Sequence, residues 1–295
     1  MRSLDPRGEG PLDLLPRWPL VVVIGLVVLA IAVVPIRSYV GKRAARELIV
    51  PARADTTTPR SFGIPFADLT LPSGDHTIQA WWVRAPTLDS AGPAVLLFHA
   101  NRSTLSQQAG IQQVLYRAGI SSLAFDYSGF GASEGEATPA ALREDARAAF
   151  AAFSDSARMA GRRVLLGTSL GAAVLLDVIA DLQTGVEGVV IVGAFASARD
   201  LAVHAERVPR LASFLVPNLY DNVEAMRRLG KPVLIVHSAQ DEVFPMDHAE
   251  RLLEAAPVAK RLERLDRGGH AAYLSSDAQW VPVIEFIRRG LDVTP

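Results

Sequence analysis

The chain has 295 residues, 49% of them apolar, with a net charge of −1 and no cysteine. That length suffices for one large α/β domain. The near-neutral balance argues against nucleic acid as a partner, and the absence of thiols excludes disulfides and thiolate chemistry.

Leu20 to Ile36 reads LVVVIGLVVLAIAVVPI, and no charge falls between Arg17 and Arg37. Counted from Trp18 the apolar stretch is 19 residues. As a helix that is about 28 Å, close to a hydrocarbon core of roughly 30 Å. Trp18 and Tyr39 sit where interface aromatics belong. We expect a tail over 1–17 and a single-pass membrane anchor over 18–36. A cleaved signal peptide is the rival reading, because Ala30-Ile31-Ala32 resembles a small-residue cleavage site; a buried core helix is a third. Pro35 and the basic cluster Arg37, Lys42, Arg43 and Arg46 suit an uncleaved anchor better. Arg2, Arg7 and Arg17 precede the span, so the positive-inside rule leans toward a cytoplasmic catalytic domain, with a periplasmic or other extracytoplasmic side as the alternative. Residues 37–60 are charged, Thr/Pro-punctuated and without sustained periodicity, and read as a linker to a domain over 61–295.

That domain opens with two alternating strands, Phe66–Leu71 and Ile78–Val83, around the turn Pro72-Ser73-Gly74-Asp75, which predicts an antiparallel hairpin. Continuous apolar strands follow at Ala94–Phe98, Ser121–Phe125, Val164–Leu166, Val189–Val192, Val233–Val236 and Leu262–Leu265. Helices are predicted between them: Ser106–Ala118, one starting at Thr138-Pro139 with Leu142, Ala146, Ala149, Phe150 and Phe153 on its apolar face, and others near 170–183, 246–256 and 277–289. Eight strands alternating with helices imply an α/β fold, a mostly parallel sheet covered on both faces, with chemistry at the carboxyl ends of its strands.

The chemistry-bearing residues do follow strand ends. Gly167-Thr168-Ser169-Leu170-Gly171 has the form G-x-S-x-G between a strand and a helix, which exposes a serine hydroxyl on a sharp turn. Gly167 and Gly171 supply the small neighbours that turn needs. On such a sheet the partners come in chain order Ser, Asp, His. Asp241 follows the seventh strand and His270, in Arg267-Gly268-Gly269-His270, follows the eighth. The proposed roles are Ser169 as nucleophile, His270 as base and Asp241 as the group that orients the base. Glu242 is the rival for the last role, and Asp126 is an alternative acid after the fourth strand. His76, His204, His237 and His248 are less well placed than His270. The oxyanion needs two N–H donors: Leu170, directly after the nucleophile, and Asn101 in the loop after the third strand, with Ala100 as the fallback.

Phe98-His99-Ala100-Asn101, the run from Asp126 to Gly135 (DYSGFGASEG), the Ser169 turn, His237 to Asp241 and Gly269-His270 together resemble the α/β-hydrolase fold of serine hydrolases over about 61–290. More narrowly, they resemble its membrane-anchored, small-lid branch of lipid hydrolases, depalmitoylating thioesterases and serine-aminopeptidase-like domains. The resemblance implies cleavage of carboxylic ester or thioester bonds in acyl or lipid substrates, no metal or other cofactor, a structural role for Asp126, and a short lid over about 194–230. Within that lid Val208–Tyr220 reads either as cover for the core or as an acyl- or membrane-facing wall. An aminopeptidase or amidase on the same triad is the alternative, and a non-catalytic membrane-tethered relative the third reading. One departure stands out: the family has His-Gly where this chain has His99-Ala100, and the added methyl restricts the backbone if a positive φ is required there.

Overall fold

The computed structural model describes residues 18–53, 56–204, 213 and 215–291. The expected tail 1–17, the side chain of Trp18, and residues 205–212 and 214 of the expected lid lie outside the described residues.

Helix α1 runs unbroken from Trp18 to Leu48, through Pro35. Its apolar side chains from Val21 to Val28, with Ile31, Val34 and Ile36, are exposed, and over Val21–Leu48 the helix is long and apolar enough to cross a membrane. Residues 37–48, expected as an irregular tether, are helical. Lys, Arg, Ala, Glu and Leu supply the propensity there, and Arg43 donates to Glu47 one turn on. Val40, Gly41, Ala44, Ala45 and Leu48 lie on the covered side at helical spacing, but three of these five are Gly or Ala, so the apolar period is faint in the residues.

The strands are β1 (Ala67–Ser73), β2 (His76–Val83), β3 (Ala94–Phe98), β4 (Ser121–Phe125), β5 (Arg163–Thr168), β6 (Gly188–Val192), β7 (Val233–Ser238) and β8 (Lys260–Leu265). They form one sheet in the order β1-β2-β4-β3-β5-β6-β7-β8. Strand β2 is antiparallel to both neighbours, and every pair from β4 to β8 is parallel. The remaining helices are α2 (Leu105–Arg117), α3 (Pro139–Ser156), α4 (Leu170–Asp177), α5 (Ile179–Leu182), α6 (Ala198–His204), α7 (Asn222–Arg227), α8 (Met246–Ala255) and α9 (Asp277–Arg289). The helix predicted over 170–183 is divided at Val178, whose backbone leaves helical values at φ −108° and ψ 4°, giving α4 and α5.

The strand pleat sorts the core. Leu96, Leu123, Leu165, Ile191 and Ile235 pack on one face with α3, α4, α7 and α8. Val95, Leu97, Val164, Val190 and Val236 pack on the other with α2 and α9. A sheet buried on both faces has no polar side, which is why its strands read as continuous apolar runs. In the lid region Val216 and Tyr220 are buried, so this part of Val208–Tyr220 covers the core.

Two buried carboxylates fix the loops at the carboxyl end of the sheet. Asp145 on α3 accepts from Ser73 Oγ at 2.6 Å, Ser128 N at 2.7 Å and Ser128 Oγ at 2.9 Å, tying the hairpin and the glycine-bearing turn to α3. Asp126, just past β4, accepts from Leu105 N at 2.8 Å and so caps α2. Burial raises Asp126 to about 7, against the opposing pull of that hydrogen bond. His99 Nε2 faces it at 3.5 Å, and burial lowers this imidazole to about 4. The pair is therefore neutral on the histidine side at physiological pH.

Asp145→Ala would leave the Ser128 N–H and the Ser73 hydroxyl without their acceptor inside the protein. We expect a loss of about 2–4 kcal/mol in denaturant unfolding, and a smaller loss for Asp145→Asn, which keeps one acceptor oxygen. For Asp126 the folded value lies above the unfolded one, so its contribution is present at low pH and lost as pH rises through about 7. Relative to wild type, the stability of Asp126→Asn should therefore climb as pH rises from about 4 to about 7 and level off above, as read by unfolding midpoints at several pH values.

Candidate active site

Strand β5 delivers Ser169 to a sharp turn, where its backbone sits at φ 53° and ψ −116°. For a non-glycine residue this is a strained conformation. The neighbours are glycines because nothing larger fits. A Cβ at Gly171 would lie 2.1 Å from the Phe98 carbonyl oxygen and 2.6 Å from that of His99; one at Gly167 would lie 2.7 Å from Ala172 Cα. The same contacts show that the loop after β3 lies directly against the serine turn. Ser169 N donates to Val192 O at 2.9 Å, tying the turn to β6.

The residues picked from sequence come together. Ser169 Oγ lies 3.0 Å from His270 Nε2, and His270 Nδ1 lies 2.8 Å from Asp241 Oδ2. The other oxygen of Asp241 accepts from the N–H groups of Val243 at 2.8 Å and Phe244 at 2.7 Å. Burial alone would raise this carboxyl. The hydrogen bonds from His270, Phe244 and Tyr273 outweigh it and hold Asp241 down to about 2. An ionised carboxylate only accepts, so the proton between Asp241 and His270 sits on Nδ1. In the neutral imidazole Nε2 is then the acceptor for the Ser169 hydroxyl. This is the tautomer a general base needs.

Two residues of the site carried no signal in the sequence. Tyr273 donates to Asp241 Oδ2 at 2.8 Å and accepts from Ser238 N at 2.9 Å, bridging β7 to the loop that carries His270. The Phe244 ring packs edge-on against the His270 ring, with centroids 4.5 Å apart. The rival Glu242 does not reach the imidazole; it accepts the His270 backbone N–H at 3.0 Å. Ser238 Oγ donates to the Gly268 carbonyl, pinning the loop that carries His270. Three of the other histidines have structural partners, and the side chain of His204 lies outside the described residues. His237 Nε2 donates to Phe244 O at 2.7 Å, His248 Nδ1 accepts from Ala196 N at 3.1 Å, and His76 Nε2 lies 2.7 Å from Ser128 Oγ. Asp126 is engaged at the α2 cap, away from His270.

For the oxyanion, Leu170 opens α4, and a first-turn N–H has no acceptor within its own helix. On the facing loop, the Ala100 carbonyl accepts from His99 Nδ1 at 2.8 Å and from Ser103 N at 3.3 Å. A trans peptide then turns the Asn101 N–H to the opposite side from the His99 ring. The methyl of Ala100 is no obstacle, because Ala100 is not the residue with positive φ; Arg102 is, at 58°. Among the described residues no group of three or more His, Asp or Glu side chains is placed to hold a metal.

A family model described as serine aminopeptidase, S33, matches residues 89–227. An uncharacterized protein of Mycobacterium tuberculosis is 30% identical over 222 residues, 72% of this chain and 78% of that protein. An uncharacterized membrane protein of Saccharomyces cerevisiae is 27% identical, over 80% of this chain and 84% of its own. The α/β-hydrolase domain-containing protein WAV2 of Arabidopsis thaliana is 24% identical, over 68% and 69%. Among solved structures, an esterase of Pyrococcus furiosus superimposes with a TM-score of 0.65 at 18% identity, covering 81% of this chain and 98% of the esterase. With the strand order and the serine turn, these likenesses place the chain: it belongs to the α/β-hydrolase family.

Proposed function

We propose that this α/β-hydrolase is a membrane-anchored serine hydrolase that cleaves carboxylic ester or thioester bonds of acyl or lipid substrates. The observation that carries the reading is the relay from Ser169 Oγ through His270 to Asp241, at 3.0 and 2.8 Å. His270 takes the hydroxyl proton as Ser169 attacks the acyl carbonyl, and Asp241 stabilises the imidazolium that forms. The developing oxyanion is received by the N–H groups of Leu170 and Asn101. His270 then protonates the leaving group, and the same imidazole activates water to clear the acyl-enzyme. The exposed apolar helix α1, and the yeast relative named as a membrane protein, support an anchored enzyme. An anchor in turn favours substrates whose acyl chains lie in or at a bilayer. The S33 family model keeps an aminopeptidase reading open; a parallel series of p-nitrophenyl esters, thioesters and aminoacyl anilides separates the two.

A fluorophosphonate probe should label the full-length protein on Ser169, and Ser169→Ala should abolish the label. Folded wild type that stays unlabelled would sink the proposal. Asp241→Asn reverses the tautomer preference of His270 and should lower kcat by about 10³–10⁴-fold while leaving the protein folded. Tyr273→Phe removes one of four hydrogen bonds to the Asp241 carboxylate. With Asp241 still ionised, we expect kcat/KM to fall by roughly 3- to 10-fold, the scale of a single hydrogen bond.

A further inference from the structure

We propose that Ile49–Arg53, the stretch joining α1 to the catalytic domain, is a positioning element of the active site that holds the oxyanion-side loop from outside. This inference rests on the serine-hydrolase reading above. The geometry is a clamp of both backbone groups of one residue. Val50 N donates to Asn101 Oδ1 at 2.7 Å, and Arg102 N donates to Val50 O at 3.2 Å. Two residues on, Ala52 O accepts from Gly131 N at 2.8 Å, and Arg53 pairs with Gly131 as a parallel bridge. The stretch is itself fixed, since Ile49 is only 3% exposed and belongs to the main core.

What the clamp grips matters. Asn101 carries the N–H assigned to the oxyanion, and its peptide is already oriented from the inside by His99. Arg102 is the loop's left-handed residue, a conformation that costs roughly 1–2 kcal/mol for an L-residue without local support. Val50 O supplies that support through the Arg102 N–H. His99 and Val50 thus hold the loop from opposite sides. Further up α1, Gly41 packs against the lid: a Cβ there would lie 2.9 Å from Pro217 Cγ. Helix α1 therefore meets the lid, and the stretch that follows it meets the loop after β3, before the catalytic domain begins.

The test uses the full chain in detergent, with a soluble p-nitrophenyl ester and with hydrogen exchange of the peptide covering 98–104. Val50→Pro removes the N–H donor and Asn101→Ala removes its acceptor. For either variant we expect kcat to fall roughly 10- to 100-fold, with KM within about twofold of wild type, the scale of a misplaced transition-state donor. Asn101→Asp keeps an acceptor in place and should recover most of that loss. Val50→Ala keeps the N–H, so its kcat should exceed that of Val50→Pro by the same factor. Amides 99–104 should exchange about tenfold faster in Val50→Pro and Asn101→Ala. Unchanged exchange in both, or faster exchange with unaltered kcat, overturns the inference. If Val50→Pro fails to fold, Asn101→Ala against Asn101→Asp decides alone. A wild type without label or turnover overturns the hydrolase reading instead, and the exchange measurement still decides whether the clamp exists.

Discussion

The strained backbone of Ser169 is the constraint around which this molecule is arranged. A residue at φ 53° and ψ −116° carries a cost on the order of 1–3 kcal/mol, and it persists only when its surroundings over-determine it. Here they do. Strand β5 is paired on both sides, to β3 and β6, so the approach to the turn cannot relax. Helix α4 is buried along nearly its whole length and fixes the departure. The two glycines allow the β3 loop and α4 to close on the turn to distances no Cβ would survive. The strain thus aims the hydroxyl at His270 and brings the start of α4 beside the β3 loop.

The acid end of the relay is held differently, by saturation of its hydrogen bonds. Asp241 is buried, which by itself disfavours the charge, yet four donors converge on its two oxygens: two backbone amides, the His270 ring and the Tyr273 hydroxyl. Hydrogen bonds to an ionised group are roughly twice as strong as neutral ones, and together they overcome desolvation. Because the amides come from the residues just after Asp241, the turn solvates its own carboxylate. Tyr273 adds the link to the far side of the loop. The His270 ring therefore meets a fixed negative charge in one orientation, and its tautomer follows.

Features set by local periodicity or by short motifs were readable in the residues. The buried strands announce themselves as apolar runs because both faces of the sheet are covered, and the Ser169 turn because G-x-S-x-G lies between a strand and a helix. Asp241 and His270 follow once strand ends are located. What escaped was long-range or unpatterned. Tyr273 is one aromatic residue three places after a histidine, and nothing local says that its hydroxyl reaches a carboxylate 32 residues back. The helical character of residues 37–48 was hidden because the covered side is made largely of Gly41, Ala44 and Ala45, too small to stand out as an apolar period. The contact between Val50 and Asn101 spans 51 residues and joins two segments without regular structure, so no spacing could reveal it. The departure at Ala100 was visible, but its harmlessness was not, since only the backbone shows that the left-handed position falls at Arg102.

The placement of α1 bears on how an anchored hydrolase would meet its substrate. From Ile36, the last residue of the apolar run, to Leu48 is twelve residues of continuous helix, a rise of about 18 Å. A flexible linker of the same length would let the domain tumble, with no preferred face toward the bilayer. Here the helix runs straight into a buried Ile49, and Val50 beyond it is hydrogen-bonded to the loop after β3 at Asn101 and Arg102, so the connection is tied down rather than free. Gly41 against Pro217 and Val50 against Asn101 and Arg102 place the segment from Pro217 and the loop after β3 on the side of the domain from which α1 leaves. Under the anchored reading proposed above, that is the side on which a bilayer-held substrate would arrive.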